Sequence, residues 1–182
     1  MNLYLLSPEL SLTAFAILVI LLDLVIKRKG ILVYVSILGL ITSAVFAATL
    51  WGGEATTFGG MLVVDGFSIF FKFLFIGVAV MVVLASVDYV SRIKRFQGEY
   101  LALILLSAVG MMLMASTGEL VSIYISLELT GISLYVLTGF MKDPKSSEAG
   151  LKYLLLGAVA SAVLLYGMAM VFGLTGTTHL GD

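Results

Sequence analysis

At 182 residues the chain has the length of a single domain. However, 61% hydrophobic and 12% charged residues, with a mean hydropathy of +1.17, exclude a water-soluble globule, since soluble chains carry about 25% charged residues and one this short still leaves about a third of its unfolded surface in water. The net charge of −1 removes the basic footprint of a nucleic-acid binder, so no nucleic-acid partner is expected.

Six apolar segments approach the roughly 20 residues that a membrane-spanning helix needs: 10–26, 31–50, 67–87, 100–116, 120–140 and 149–172. The predicted fold class is therefore all-α, a polytopic membrane helix bundle of about six transmembrane helices forming one domain over residues 1–182. The first run is apolar and opens the chain, as a signal peptide would, but its cations Lys27, Arg28 and Lys29 follow the run instead of preceding it. It reads as a retained helix. Gly52, Gly53, Gly59 and Gly60 punctuate the second connection, and no interior connection is long enough for a soluble domain.

Sidedness follows from where lysine and arginine fall between the spans. Lys27, Arg28 and Lys29 follow span one, Arg92, Lys94 and Arg95 follow span three, and Lys142 and Lys145 follow span five; the other connections and both tails carry none. This places the three basic loops in the cytoplasm or its equivalent. The N-terminus, Glu9, Glu54, Asp65 and Glu119 are expected on the far, periplasmic side.

Four ionisable residues lie within the spans: Asp23, Lys72, Glu128 and Lys152. Each costs about 2.5 to 3.5 kcal/mol at the centre of a bilayer on insertion scales, and so needs a partner, a path to water or a function. Asp23 precedes Lys27 by one helical turn, the spacing of a local interfacial pair. Lys72, two turns after Asp65, could snorkel along its aliphatic stem or join a polar path. Asp143 and Pro144 are a helix-start pair, Asp as cap and Pro at the first position, so the last helix is expected to begin before the bilayer. Lys152 then follows Glu148 in the favourable i,i+4 order, open to reading as a surface ion pair or as a buried proton carrier. Gly157 and Ser161 below it form a small-residue face for close helix packing.

Glu128 is the most informative residue. It stands eight positions into its span, about 12 Å from the nearer end at 1.5 Å per residue, which is beyond the reach of a glutamate. Its helix face carries Tyr124, Gly131 and Tyr135, and the opposite face carries Ser122, Ser126, Thr130 and Ser133, so the helix should be buried among others. Desolvation pushes such a carboxyl toward its neutral form and a nearby cation pushes it back, a balance suited to loading and releasing a proton. The competing reading is a glutamate that only holds helices together.

The chain has no cysteine and one histidine, His179, and carries neither a GxGxxG nor a GxxxxGK[ST] string. Thiolate metal sites, cysteine-ligated clusters, bis-histidine haem and phosphate cradles are therefore not written here. No cofactor is expected on this chain.

The run "LELTGISLYVLTGFMKDPKSSEAGLKYLLLGAVASAVLLYGMAMVFGLTG" (residues 127–176) resembles subunit N of respiratory complex I, the proton-translocating NADH:quinone oxidoreductase, within the antiporter-like membrane-subunit family. "VVDGFSIFFKFLF" (63–75) and "GEYLALILLSAVGMMLMASTGELVSIYISLEL" (98–129) resemble the same subunit, and the first two spans match in character. The resemblance implies a subunit without redox groups that moves protons in the bacterial inner membrane while NADH, flavin, iron-sulfur clusters and quinone are handled by other subunits. It implies that Glu128 is the family's essential membrane glutamate, paired with a lysine on a later helix, and that Lys152 is the supporting lysine of the "KY" motif. It also implies roughly fourteen helices built on inverted repeats, of which six fall within these residues. The expected partners are the lipid bilayer, other membrane-arm subunits and a polypeptide supplying the remaining helices. A multi-subunit sodium/proton antiporter and a ferredoxin- or deazaflavin-linked membrane complex remain open as alternatives.

Overall fold

In hydrocarbon every backbone N–H and C=O must be satisfied within the protein, and an apolar run does this most directly by closing into a helix. The computed structural model describes residues 3–26, 30–92 and 96–181, with backbone alone for 91 and 92. Its helices are α1 (Ser7–Val25), α2 (Gly30–Thr49), α3 (Gly66–Ala85), the short α4 (Val87–Arg92), α5 (Gln97–Ala115), α6 (Leu120–Thr138) and α7 (Pro144–Thr175). Six of them are long and apolar enough to cross a membrane, and they match the six segments read from the sequence to within a few residues. The last begins earlier than its apolar run, as expected. Pro144 opens α7, and the Asp143 carboxylate accepts from the backbone N–H groups of Lys145 and Ser146 at 3.0 and 2.9 Å.

Helix α5 is the axis of the arrangement and packs on α1, α3 and α6. Over half of its most apolar stretch is buried (56%), against 6% for α7, which packs on α6 at the periphery. The core between α1, α2, α3 and α5 is apolar, with Leu12, Val19, Leu40, Val83, Leu101, Leu105 and Met112 at its centre. Two glycines set the helix spacing. A Cβ at Gly98 would stand 2.5 Å from the Asp23 Cβ, so α5 and α1 touch backbone to side chain. A Cβ at Gly110 would collide with the Thr130 side chain and stand 2.9 Å from the Ser126 carbonyl oxygen, so α5 and α6 do the same.

One end of the bundle is closed by extended chain that the all-α expectation did not include. Strands β1 (Ala55–Thr57) and β2 (Leu62–Val64) pair antiparallel, Ala55 opposite Val64. Their turn runs through Phe58, Gly59 and Gly60, all at positive φ, where glycine carries no Cβ penalty. The hairpin is stitched to the α5–α6 connection by Val63 N–H to Ser116 O at 2.7 Å and Gly118 N–H to Met61 O at 3.2 Å. Residues after α7 return to the same place, with Leu120 N–H donating to Thr178 O and Leu180 N–H to Gly118 O, both at 2.9 Å. The Tyr4 hydroxyl donates to Thr49 Oγ1 at 2.7 Å at this end too. The connections expected on one side of the membrane are thus gathered at one end, here called the cap end. Lys27, Arg28, Lys29, Lys94 and Arg95 of the basic loops lie outside the described residues, as does the Asp23–Lys27 pairing expected from their spacing.

Glu119 locks the cap. It precedes α6, is 5% exposed, and its carboxylate accepts from Thr178 Oγ1 and Ser122 Oγ, each at 2.8 Å. The Thr178 hydrogen bond first, then that from Ser122, and the nearby His179 hold its carboxyl below the usual carboxylate range against the opposing effect of burial. A carboxyl depressed in the folded state stabilises the fold fully above its unfolded pKa, about 4.3 for glutamate, and loses that contribution as pH falls through the lower folded pKa. Thermal unfolding should therefore show Glu119→Gln less stable than the parent at pH 7, with the gap narrowing as the pH falls below about 4; a gap independent of pH would contradict the latch.

Candidate functional site: charges sealed between the helices

Glu128 lies two turns into α6, with Oε1 buried and accepting no hydrogen bond. Ser126 and Ser133 are buried, and Thr130 donates back to Ser126 O at 3.1 Å and reaches Ser107 O of α5 at 3.4 Å. This is the α5-facing side of the helix. Glu128, Gly131 and Tyr135 share the other side, as the 100° spacing requires. Tyr135 sits near enough for the Glu128 charge to act on its hydroxyl, and that hydroxyl lies over Gly131, where a Cβ would stand 3.0 Å away.

The sequence reading missed how α7 completes this face. Tyr153 packs edge-on to Tyr135, ring centroids 4.8 Å apart and planes at 87°. A Cβ at Gly157 would collide with the Tyr135 hydroxyl, so this glycine is what lets the tyrosine in. Ser161, one turn below, is the buried residue of α7, so the small-residue face does meet α6. Tyr124 lines a groove of about 340 Å³ with Leu165, Met168 and Phe172 of α7 and is not gathered with Tyr135.

Lys152 is placed elsewhere. Its ammonium pairs with Glu148 one turn earlier at 2.5 Å. Among the described residues Glu128 forms no ion pair.

Of the two readings left open for Lys72, the structure does not show snorkelling. Lys72 is the largest fully buried side chain, 0% exposed, and its Nζ stands 2.9 Å from Oε1 of Glu9 in the first turn of α1. Glu9, expected on the far side of the membrane, is 2% exposed. The contact lies off the hydrogen-bonding angle, and neither Glu9 oxygen accepts a hydrogen bond, so Coulomb attraction alone joins the two. Asp65, two turns before Lys72, is occupied instead in a capping box with Ser68, at 2.8 and 3.0 Å. Nothing local in the sequence links Glu9 to Lys72: they lie 63 positions apart and meet only because α1 and α3 flank one core.

Fold and charges together define a multi-pass integral membrane helix bundle with ionisable groups sealed inside it. Comparison with known proteins narrows this. The family described as "NADH:quinone oxidoreductase/Mrp antiporter, TM" matches residues 116–182. The NADH-quinone oxidoreductase subunit N of Dehalococcoides mccartyi is 50% identical over 177 residues, covering 96% of this chain and 36% of that protein. The subunit N of Trichlorobacter lovleyi is 43% identical over 182 residues, covering 98% and 37%. Among solved structures, a chain of respiratory complex I from Thermus thermophilus, determined with bound aureothin, superposes with a TM-score of 0.81 at 32% identity, covering 96% of this chain and 38% of that one. By these matches the chain is similar to antiporter-like membrane subunits, and its relatives include subunit N of NADH-quinone oxidoreductases. It spans somewhat over a third of the length of the relatives it matches.

Removing one partner of a buried ion pair leaves an uncompensated charge and costs about 3 to 5 kcal/mol, whereas replacing both with apolar or neutral groups is often near neutral. Lys72→Met should therefore lower the melting temperature of the protein in mild detergent sharply, and Glu9→Gln combined with Lys72→Met should recover most of the loss. Additive losses would show that the two residues act independently.

Proposed function

We propose that this chain forms the first six helices, a single transmembrane unit, of a proton-translocating membrane-arm subunit of an NADH:quinone oxidoreductase in a bacterial inner membrane. The observation that carries the reading is Glu128: a carboxyl about 12 Å inside a spanning helix, with a buried oxygen that accepts no hydrogen bond, on a chain 50% identical to a subunit N. Intramembrane acids of this kind mark ion paths.

The chemistry follows from the surroundings. A cation brought close to the Glu128 carboxyl would favour the carboxylate, and its withdrawal would favour the protonated acid. Tyr135, beside it and wedged against Gly157, supplies a hydroxyl able both to donate and to accept. The cation is assigned to a lysine on helices beyond α7, contributed by the remainder of the fold. Lys152 takes a supporting place near the basic-loop end, where its exchange between Glu148 and another partner would pass protons toward Glu128. Lys72 with Glu9 is a separate charged locus on the cap-end side. Electron transfer from NADH to quinone, with its flavin and iron-sulfur clusters, belongs to other subunits, and the neighbouring membrane-arm subunits are the partners. The cap end, with the N-terminus, faces the periplasm, as the clustering of lysine and arginine in the opposite loops requires.

A second reading, a sodium/proton antiporter subunit, is supported by the description of the matching family, which names both classes. One experiment separates the readings. In the assembled complex Glu128→Gln should lower proton transport driven by NADH oxidation by on the order of tenfold, within the range of coupled sites, while the amount of assembled complex is unchanged. Reduced assembly with unchanged transport per complex would mean that Glu128 only clamps helices, and transport that follows sodium and ignores NADH would favour the antiporter.

A further inference from the structure

At the end of the bundle opposite the cap, α1, α5 and α6 leave a groove of about 370 Å³. Its shaft is apolar, lined by Ile20, Leu103, Leu106 and Val136, and its mouth carries two opposite charges, Glu99 and Lys142. Glu99 stands in the first turn of α5, where the helix dipole favours a negative charge. Its Oε2 is nonetheless buried and accepts no hydrogen bond. Lys142 is exposed and held 5.2 Å above the Phe96 ring, and both Lys142 and Phe96 adopt left-handed backbone, φ 56° and 67°. Among the described residues Glu99 and Lys142 do not form an ion pair with each other. The mouth therefore presents an unsatisfied acceptor and a cation side by side above an apolar slot.

We infer that this groove is a binding site for an aminophospholipid of the phosphatidylethanolamine kind, with the phosphate on Lys142, the ammonium on Glu99 and an acyl chain along the shaft toward Val136. The charge order is what selects the ligand. The ammonium pairs with the Glu99 carboxylate that lines the mouth, and a hydrogen bond to a charged group is worth more than one between neutral groups. A phosphate meets Lys142, at the level where lysine side chains reach the membrane interface. A lipid with a glycerol headgroup satisfies Lys142 through its phosphate but offers Glu99 a neutral hydroxyl in place of a positive charge. Among the described residues near the mouth, Asp23 lies against Gly98 on the α1 side, and Tyr100 shares a hydrogen bond with Ser86 at 3.2 Å. The inference does not depend on proton translocation.

The test uses the chain in its assembled complex, incorporated into nanodiscs of equal phosphatidylethanolamine and phosphatidylglycerol and released for native mass spectrometry. The parent should retain one phosphatidylethanolamine in preference to phosphatidylglycerol. Glu99→Gln should lower phosphatidylethanolamine retention about tenfold, the effect of one charge-assisted hydrogen bond, and Lys142→Gln should lower retention of both lipids. Val136→Trp, which fills the shaft and leaves the charges in place, should expel the lipid whatever its headgroup, and it keeps the test open should Glu99→Gln fail to assemble. Equal retention of the two lipids, phosphatidylethanolamine retention unchanged in Glu99→Gln, or no retained lipid because a protein helix fills the groove would each overturn the proposal.

Discussion

A charge in hydrocarbon must be compensated, and the structure is organised by how each ionisable residue inside it meets that demand. Lys72 and Glu9 compensate each other across the α1–α3 contact, sealed from both lipid and water. Lys152 avoids the problem by pairing with Glu148 in an exposed part of α7. Glu128 does neither, and its buried oxygen accepts nothing. The three solutions differ in what they allow. A mutually compensated pair holds helices in register, a surface pair costs little to exchange, and an uncompensated acid changes its protonation state whenever its surroundings change. Only the last couples a proton to a movement of charge elsewhere, which is why Glu128 carries the functional reading.

The scaffold around Glu128 is stiff on one side and open on the other. Toward α5, Gly110 lets the α6 backbone approach closely and Ser126, Thr130 and Ser133 turn their hydroxyls back into the helix. Toward α7, Tyr135 packs against Tyr153 and Gly157, and Gly139 lies close to Gly150. At the cap end, Glu119, Thr178 and the hairpin tie the start of α6 to the segment after α7. The helix that carries the acid is thus anchored at its start and along one face, and its remaining face is free to meet whatever the rest of the fold presents.

Much of this was legible in the sequence because lipid imposes a simple rule: long apolar runs become helices, and their ends move by only a few residues in the structure. The Asp143–Pro144 start of α7 was legible for the same local reason, since a cap is written in adjacent residues. The face shared by Glu128, Gly131 and Tyr135 followed from helical periodicity. What escaped depended on distant partners. Glu9 reads as a far-side residue until α3 brings a lysine to it. Tyr153 reads as part of an ordinary apolar run until α6 is laid beside it, whereas Gly157 was legible as part of a small-residue packing face. The hairpin escaped because three-residue strands flanking a glycine turn leave too short a pattern to stand out from a loop. Lys152 was legible as half of an i,i+4 pair with Glu148.

The central claim is that Glu128 changes its protonation state while the assembled complex works. Infrared difference spectroscopy of the complex, resting against turning over NADH, reads the carboxyl C=O stretch directly. The account predicts a carboxyl band that changes on turnover and is absent from the Glu128→Gln complex; turnover spectra identical in the two complexes would contradict it.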